Sequence, residues 1–113
     1  MIHCIIEYST SIDSPLGPEN LIEAVQQGAT NSDLFKETDI KTRVIPVHHY
    51  RTGTETAYFV HVVLKILSGQ TRVQRQLLSN MVMDSLSMLV STGWSISVEI
   101  VEIEKESYSE LVL

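Results

Sequence analysis

The apolar residues of this chain fall into two patterns, one typical of β-strands and one typical of helices. Short alternating runs rich in β-branched residues predict four strands, over residues 2–8, 40–47, 57–66 and 96–103. Apolar side chains at three- and four-residue spacing predict two helices, over residues 18–28 and 71–92. The predicted order is therefore strand-helix-strand, followed by a second strand-helix-strand.

Glycine and proline mark the expected ends of the helices. Pro18 suits the first helical position, because its fixed backbone angle is helical and its missing N–H is not needed there. Gly28 and Gly93 are expected to end the two helices. One short helical turn is expected around Leu34 and Phe35.

Three features are expected in and between the strands. Pro46 indicates that the second strand is an edge strand or contains a bulge. Residues 51–55 are typical of a hairpin turn. The apolar phase of the last strand shifts at Ile100 and Val101, which suggests a bulge.

The order of elements contains a repeat, about residues 2–47 and again 57–104, within a single domain spanning residues 1–113. Two β-α-β units predict an α+β fold, with a four-stranded sheet and both helices on one face. The strands at 2–8 and 57–66 nevertheless carry apolar residues on both faces. The face without helices therefore calls for another subunit.

Composition narrows the class of protein. Of the 113 residues, 43% are hydrophobic and 19% charged, which supports a packed core and argues against disorder. Fourteen acids against eight bases give a net charge of −6, which argues against a nucleic-acid partner. No apolar run is long enough to span a membrane and no targeting segment is evident, so no membrane partner and a cytoplasmic location are expected.

The thiol and imidazole side chains give no metal site. Cys4 is expected to be a small buried residue, and a single cysteine fits a reducing compartment. His61 is expected in the core or at an interface, while His48 and His49 point to opposite faces of a strand and are poor joint ligands. The acids of the last strand, Glu99 and Glu102, are expected on a solvated face together with Glu104.

Several segments resemble, in the same order, the 5-carboxymethyl-2-hydroxymuconate delta-isomerase family. They are IHCIIEYS (2–9), IKTRV (40–44), FVHVVLKI (59–66), RQ (75–76) and VEI (98–100). The resemblance implies the tautomerase superfamily, a duplicated β-α-β chain that forms a homotrimer. It also implies cofactor-free keto–enol isomerisation of unsaturated keto acids from aromatic-compound catabolism.

The family's general base is an N-terminal proline, and arginines hold the substrate carboxylates. Ile2 stands in the position of that proline, so the free amine is expected on Met1, which is either a relocated base or an ordinary N-terminus. His3, beside it, is a weaker candidate for the same pocket.

The family's arginines are partly replaced. Gln70 occupies one arginine position, and Lys41 occupies another, whereas Arg43 matches. Arg72, two residues after Gln70, is a possible substitute, although Thr71 has the alternative role of a helix cap. Lys41, Arg43 and Arg72 are therefore candidates to bind a carboxylate, the alternatives being solvated surface charge or, for Arg43, a bridge between subunits.

Two functions follow from these residues. The first is an isomerase without metal or cofactor, weakened or inactivated by the loss of the proline and of the arginine at Gln70. The second is a non-catalytic homotrimer that binds a small unsaturated dicarboxylate or keto acid on the same scaffold. The apolar residues 111–113 are expected either to dock on a neighbouring subunit or to fray.

Overall fold

A computed structural model describes residues 1–10, 16–54 and 57–113. The main elements in this part of the chain are β1 (Ile2–Ser9), α1 (Pro18–Asn31), β2 (Ile40–Val47), β3 (Tyr58–Leu67), α2 (Arg72–Ser87) and β4 (Trp94–Ile103). Two short 3-10 turns lie at Glu37–Asp39 and Lys105–Ser107. No helix among the described residues is long and apolar enough to cross a membrane.

The four strands form one mixed sheet in the order β2-β1-β3-β4. β1 runs parallel to β2 and antiparallel to β3, and β3 runs parallel to β4. Each β-α-β half therefore supplies one parallel pair, and β1 and β3 join the two pairs at the centre. The expected α+β fold, with a four-stranded sheet and two helices, is confirmed.

The hydrophobic core lies between the two helices and one face of the sheet. Alternate residues of the central strands have side chains with at most 7% exposure, namely Ile2, Cys4, Ile6, Tyr8, Val60, Val62, Leu64 and Ile66. The helices contribute Leu21, Val25, Leu78, Val82 and Leu86. Burying one such large aliphatic side chain stabilises the fold by about 1.5–3 kcal/mol, so this layer fixes which residues of each strand face the helices.

The opposite side of the sheet, called here the open face, is not covered by a helix. Because side chains alternate along a strand, it carries the remaining residues of the central strands and their in-register neighbours. These include His3, Ile5, Glu7, Lys41, Arg43, Ile45, His61, Val63, Lys65, Ser97, Glu99 and Val101. The open face thus mixes apolar and charged side chains, all of them partly or well exposed.

The expected helix ends were wrong for a physical reason. Gly28 does not end α1, which continues to Asn31. It lies where α1 crosses α2, and a Cβ added to it would stand 2.7 Å from the Cα of Val82. The absence of a side chain at this position therefore allows the two helices to approach closely. The second helix ends at Ser87, and Gly93 lies in the turn before β4 with φ of +99°.

Two expected turns also differ. The helical turn near Leu34 and Phe35 is displaced to Glu37–Asp39, immediately before β2. Residues 51–55 do not close a hairpin, because β1 lies between β2 and β3 in the sheet. Gly53 does adopt a turn conformation, with φ of +65°, whereas position 55 lies outside the described residues.

The suggested bulge in the last strand is absent, since β3 and β4 pair without interruption from Trp94 to Ile103. The apolar phase shifts because Glu102 occupies a position on the helix side of the sheet, where its carboxylate accepts an ion pair from Arg75 of α2 at 3.2 Å. Glu99 and Glu102 are both exposed, but they lie on opposite faces. Pro46 lies in the edge strand β2, as expected, and causes no bulge there.

The close approach of the helices predicts that Gly28→Ala lowers the free energy of unfolding by about 1–3 kcal/mol, the usual cost of overpacking. Alanine is the better helix former by about 1 kcal/mol, so helix propensity alone predicts the opposite sign. Urea unfolding at fixed protein concentration measures the change. The control, Gln27→Ala, alters an exposed neighbour in the same helix and is expected to change stability by less than about 0.5 kcal/mol. A stabilised Gly28→Ala variant would contradict the packing argument.

Candidate functional site

Basic side chains meet on the open face at the end of the sheet where β1 and β2 begin. His3 is the direct neighbour of Lys41 on one side and of Lys65 on the other. With strands about 4.8 Å apart, the backbones of the two lysines are separated by about 10 Å, with His3 between them. Arg43 follows two residues along β2 on the same face. We refer to Lys41, Arg43, His3 and Lys65 as the cationic cluster.

The C-terminal segment returns to this cluster after β4. The 3-10 turn at Lys105–Ser107 redirects the chain, and residues 104–110 form what we call the strap. The hydroxyl of Tyr108 lies 3.0 Å from Nε2 of His3. One carboxylate oxygen of Glu110 lies 3.2 Å from Nζ of Lys41, and the other lies 3.0 Å from the Tyr108 hydroxyl. The strap therefore joins β4 to the far side of the sheet through two side chains.

The hydrogen bonds of the cluster have a single consistent direction. A guanidinium can only donate, so Nη1 of Arg43, 3.4 Å from Nδ1 of His3, makes Nδ1 the acceptor. The proton of a neutral imidazole is then on Nε2, which donates to the hydroxyl of Tyr108. Tyr108 donates in turn to Glu110, which also accepts from Lys41. The arrangement requires a neutral His3 and an ionised Glu110.

The electrostatics agree with that direction. Partial burial lowers the pKa of His3, and the nearby charges of Arg43 and Lys41 lower it further, so the imidazole is neutral at pH 7. The hydrogen bond from Lys41, followed by that from Tyr108, lowers the pKa of Glu110. Burial and the neighbouring Glu110 raise the pKa of the Tyr108 phenol. Each group therefore keeps the protonation state that the hydrogen bonds require.

Two of the expected site residues, Lys41 and Arg43, are brought together in this cluster. Met1 lies at the same end of the sheet and is partly exposed. Ile2 has no exposed side-chain surface and packs in the core, on the side of the sheet away from the cluster. The residue in the position of the family's proline therefore presents no side-chain chemistry to the open face.

The other two expected residues lie near α2. Thr71 forms a capping box with Gln74, which confirms its role as a cap. The backbone carbonyl of Gln70 accepts a hydrogen bond from Arg75 at 2.6 Å, and Arg72 is exposed in the first turn. Among the described residues, no hydrogen bond or ion pair links Gln70 or Arg72 to the cationic cluster. Their role in binding stays a prediction.

The remaining candidates do not form a catalytic or metal site. Burial raises the pKa of the Cys4 thiol to about 11, so this cysteine is an unreactive part of the core. His61 lies on the open face, with Nδ1 2.6 Å from the Ser97 hydroxyl and Nε2 3.5 Å from Glu99. In the described part of the chain, no three histidine, cysteine or acidic side chains are grouped to hold a metal ion.

One cavity among the described residues lies on the helix side of the sheet, away from the open face, and is unsuited to an anion. It is a groove of about 510 Å³ along the outer side of α1. Its lining includes the acids Glu19, Glu23 and Glu37. Negative charge there disfavours a carboxylate, so charge rather than cavity size identifies the cationic cluster as the candidate binding site.

Sequence reasoning missed three members of this site. Lys65 was detectable, because strand alternation puts it on the same face as His61, and the antiparallel register then pairs it with His3. Tyr108 and Glu110 gave no such signal, because residues 108–113 form no helix or strand. Their position depends on the turn at Lys105–Ser107, which has no clear sequence signature.

One family model matches most of the chain. Residues 2–110 match the family model of 5-carboxymethyl-2-hydroxymuconate isomerase. No curated protein matches the sequence.

Solved structures share the fold at low sequence identity. A 5-carboxymethyl-2-hydroxymuconate delta-isomerase superposes with a TM-score of 0.82 at 14% identity, over 99% of this chain and 88% of that one. A 5-carboxymethyl-2-hydroxymuconate isomerase from Deinococcus radiodurans R1 gives 0.77 at 20% identity, over 97% and 88%. A fused 4-OT in the form of a symmetric trimer gives 0.69 at 10% identity, over 88% and 85%.

The charges around His3 predict the direction in which its pKa moves when they are removed. Arg43→Gln keeps a hydrogen-bond donor but removes a positive charge that disfavours the imidazolium, so the pKa of His3 is expected to rise. Glu110→Gln removes a negative charge that favours it, so the pKa is expected to fall. NMR titration of the imidazole Cε1–H signal measures both shifts. Arg51→Gln, at the other end of β2, is the control and is expected to leave the titration unchanged; shifts of the same sign in both test variants would contradict this electrostatic model.

Proposed function

Because the chain belongs to the 5-carboxymethyl-2-hydroxymuconate isomerase family, we propose that it binds a small unsaturated keto acid or dicarboxylate on its open face. The observation that carries the proposal is the convergence of Lys41, Arg43 and Lys65 around a neutral His3. Such ligands are of the kind produced in aromatic-compound catabolism.

The cluster has the chemistry that a carboxylate requires. Arg43 presents a planar guanidinium able to bind both oxygens of a carboxylate, and among the described residues no carboxylate forms an ion pair with it. Lys41 and Lys65 add two positive charges, carried on strands whose backbones are about 10 Å apart. In a protein with a net charge of −6, this local excess of positive charge attracts an anion to one place.

The proposal does not include isomerisation by an N-terminal proline. Ile2 offers no ionisable group, and its side chain is fully buried in the core. Gln70, in place of an arginine, can donate a hydrogen bond but supplies no charge to a developing dienolate. On this proposal the chain keeps only part of the family's carboxylate-binding groups, Arg43 with Lys41 in place of a second arginine, and lacks the family's proton-transfer group.

A second candidate function is cofactor-free isomerisation with His3 as the proton acceptor. The observation that favours it is the unprotonated Nδ1 of His3, which lies 3.4 Å from Arg43. A carboxylate on Arg43 would bring the adjacent carbon within reach of that nitrogen, and the lowered pKa of His3 keeps it unprotonated. Tyr108 and Glu110 then hold the imidazole in the required tautomer.

We also propose that the chain self-associates through the open face as a homotrimer. That face carries apolar side chains from all four strands, among them Ile45 with 45% and Val101 with 37% of their surface exposed. The fused 4-OT that shares this fold is a symmetric trimer. A domain of 113 residues with helices on only one face of its sheet buries a limited apolar surface. Burial of the apolar residues of the open face between subunits would add to its stability.

The binding proposal predicts that calorimetry detects trans,trans-muconate, an unsaturated dicarboxylate, bound to the wild-type chain. Arg43→Gln is expected to weaken this binding roughly tenfold, the loss of about 1.4 kcal/mol from a partly exposed charge-assisted contact. Arg51→Gln makes the same change of charge at the other end of β2 and is expected to bind as wild type does. Equal effects of the two variants, or no binding to any of them, would refute a specific site at the cluster.

Ketonisation of phenylenolpyruvate distinguishes the two candidate functions. Carboxylate binding without isomerisation predicts no rate above that of buffer. A rate that is lost in His3→Gln would instead establish the second. A rate that survives in His3→Gln would show that neither description of the chemistry is correct.

The association proposal predicts a mass of three times the 12.7 kDa chain by light scattering at micromolar concentration. Ile45→Lys adds a charge to the open face beside Glu7, where the fold itself tolerates it, and is expected to yield monomers. Val73→Lys makes the same change at an exposed position of α2, with 79% exposure, and is expected to leave the trimer intact. A monomeric wild-type chain would refute the association, and a trimeric Ile45→Lys variant would refute the assigned face.

A further inference from the structure

The carboxylate that meets the cationic cluster in this structure belongs to the chain itself. Glu110 uses one oxygen for the ammonium of Lys41, at 3.2 Å, and the other for the hydroxyl of Tyr108, at 3.0 Å. An ionic contact to one oxygen and a neutral hydrogen bond to the other is how a protein holds a small carboxylate ligand. Glu110 therefore occupies the place that the proposed ligand requires.

We propose that the strap is an internal ligand: Glu110 occupies the carboxylate site at Lys41, and an external carboxylate binds there by displacing it. This inference rests on the proposed function and adds regulation of the same site. The displacement exchanges one carboxylate for another, so Lys41 and Tyr108 still have a carboxylate to which they donate.

The strap is held in a way that permits displacement. Its contacts with the cluster are Tyr108 to His3 and Glu110 to Lys41. The lysine and glutamate side chains keep 48% and 31% of their surface exposed, and exposed ion pairs contribute little to stability because water competes for both charges. Residues 111–113, beyond the strap, are almost fully exposed and do not anchor it.

The cluster is also left with excess positive charge while the strap is in place. Glu110 neutralises Lys41, whereas Arg43 and Lys65 form no ion pair with any described residue. An external dicarboxylate has a second anionic group for these cations, which Glu110 does not have. The charges therefore favour exchange of Glu110 for a ligand with two carboxylates.

Displacement would also leave the site complete. Tyr108 keeps its hydrogen bond to His3 as acceptor and can donate to the incoming carboxylate in place of Glu110. Lys41 and Arg43 lie two residues apart on the same face of β2. The ligand would thus meet an ammonium, a guanidinium and a phenol, all acting as donors.

The experiment compares the full chain with Glu110→Gln, using trans,trans-muconate as the probe and calorimetry as the measurement. Removal of the internal carboxylate is expected to tighten binding roughly fivefold, as for a site that is about four-fifths occupied. Glu106→Gln is the matched control, since it removes the same charge from the same strap within the turn at Lys105–Ser107. It is expected to bind muconate as wild type does.

A second variant separates displacement from a simple change of charge. Glu110→Asp leaves the net charge at −6 but shortens the side chain by one methylene, which withdraws the carboxylate from its contacts with Lys41 and Tyr108. It is expected to tighten muconate binding, by less than Glu110→Gln does. If Glu110→Gln tightens binding but Glu110→Asp does not, the gain comes from charge and the internal-ligand proposal is overturned.

NMR relaxation gives a readout of the strap that does not depend on affinity. The heteronuclear NOE of the backbone amide at position 110 is expected to fall in the Glu110→Gln variant and in wild type saturated with muconate. An unchanged NOE with muconate bound overturns the inference, because the ligand then binds without displacing the strap. In that case, loss of binding in Arg43→Gln would still support the proposed function. Absence of muconate binding in both wild type and Glu110→Gln would instead refute the proposed function itself.

Discussion

The register that β1 shares with both of its neighbours is the constraint on which the rest of the structure depends. Ile2 pairs with Ile40 of β2 and with Ile66 of β3, and all three side chains are buried in the core. The next row must then face the other way, which places Lys41, His3 and Lys65 side by side. A slip of one residue in either neighbour would turn its apolar residues out of the core, so the core holds these basic groups together despite their repulsion.

That repulsion explains why the open face is organised as it is. Like charges held near each other on a sheet are unfavourable unless a negative charge lies near them, and here the neutral His3 lies between Lys41 and Lys65. The strap supplies one such charge through Glu110, and the next row of the open face places Ile5 and Val63 between Arg43 and Glu99. Apolar side chains thus separate Arg43 from Glu99 within that row. The same arrangement leaves both an anion site and an apolar surface uncovered by the helices.

Patterns of hydrophobicity predict the strands and helices of this fold because those elements are set by burial along regular periods. They do not distinguish the two uses of glycine in a helix, so Gly28 resembled a helix end although it allows close packing. Glu102 broke the apolar phase of β4 in the same manner as a bulge, because its partner Arg75 lies on another element. Pairing across the sheet is long-range information that a single sequence does not contain.

The candidate site was predictable to the same extent. Lys41 and Arg43 share a strand and a face, and their resemblance to a family's arginines was enough to select them. His3 and Lys65 join them only through the strand register. Tyr108 and Glu110 join through a tail without secondary structure, whose path is set by contacts rather than by periodicity.

The buried position of Ile2 determines which residue at the start of β1 faces the cationic cluster. Because side chains alternate along β1, residue 2 faces the core and residue 3 faces the cluster. The side chain of residue 2 therefore contributes to packing, whereas the side chain of residue 3 contributes to the chemistry of the open face. A neutral imidazole at residue 3 lies between basic groups, where it can accept a proton or orient a hydrogen-bond donor. We therefore propose His3, one position beyond the residue that the family resemblance identifies, as the functional group of this β-strand.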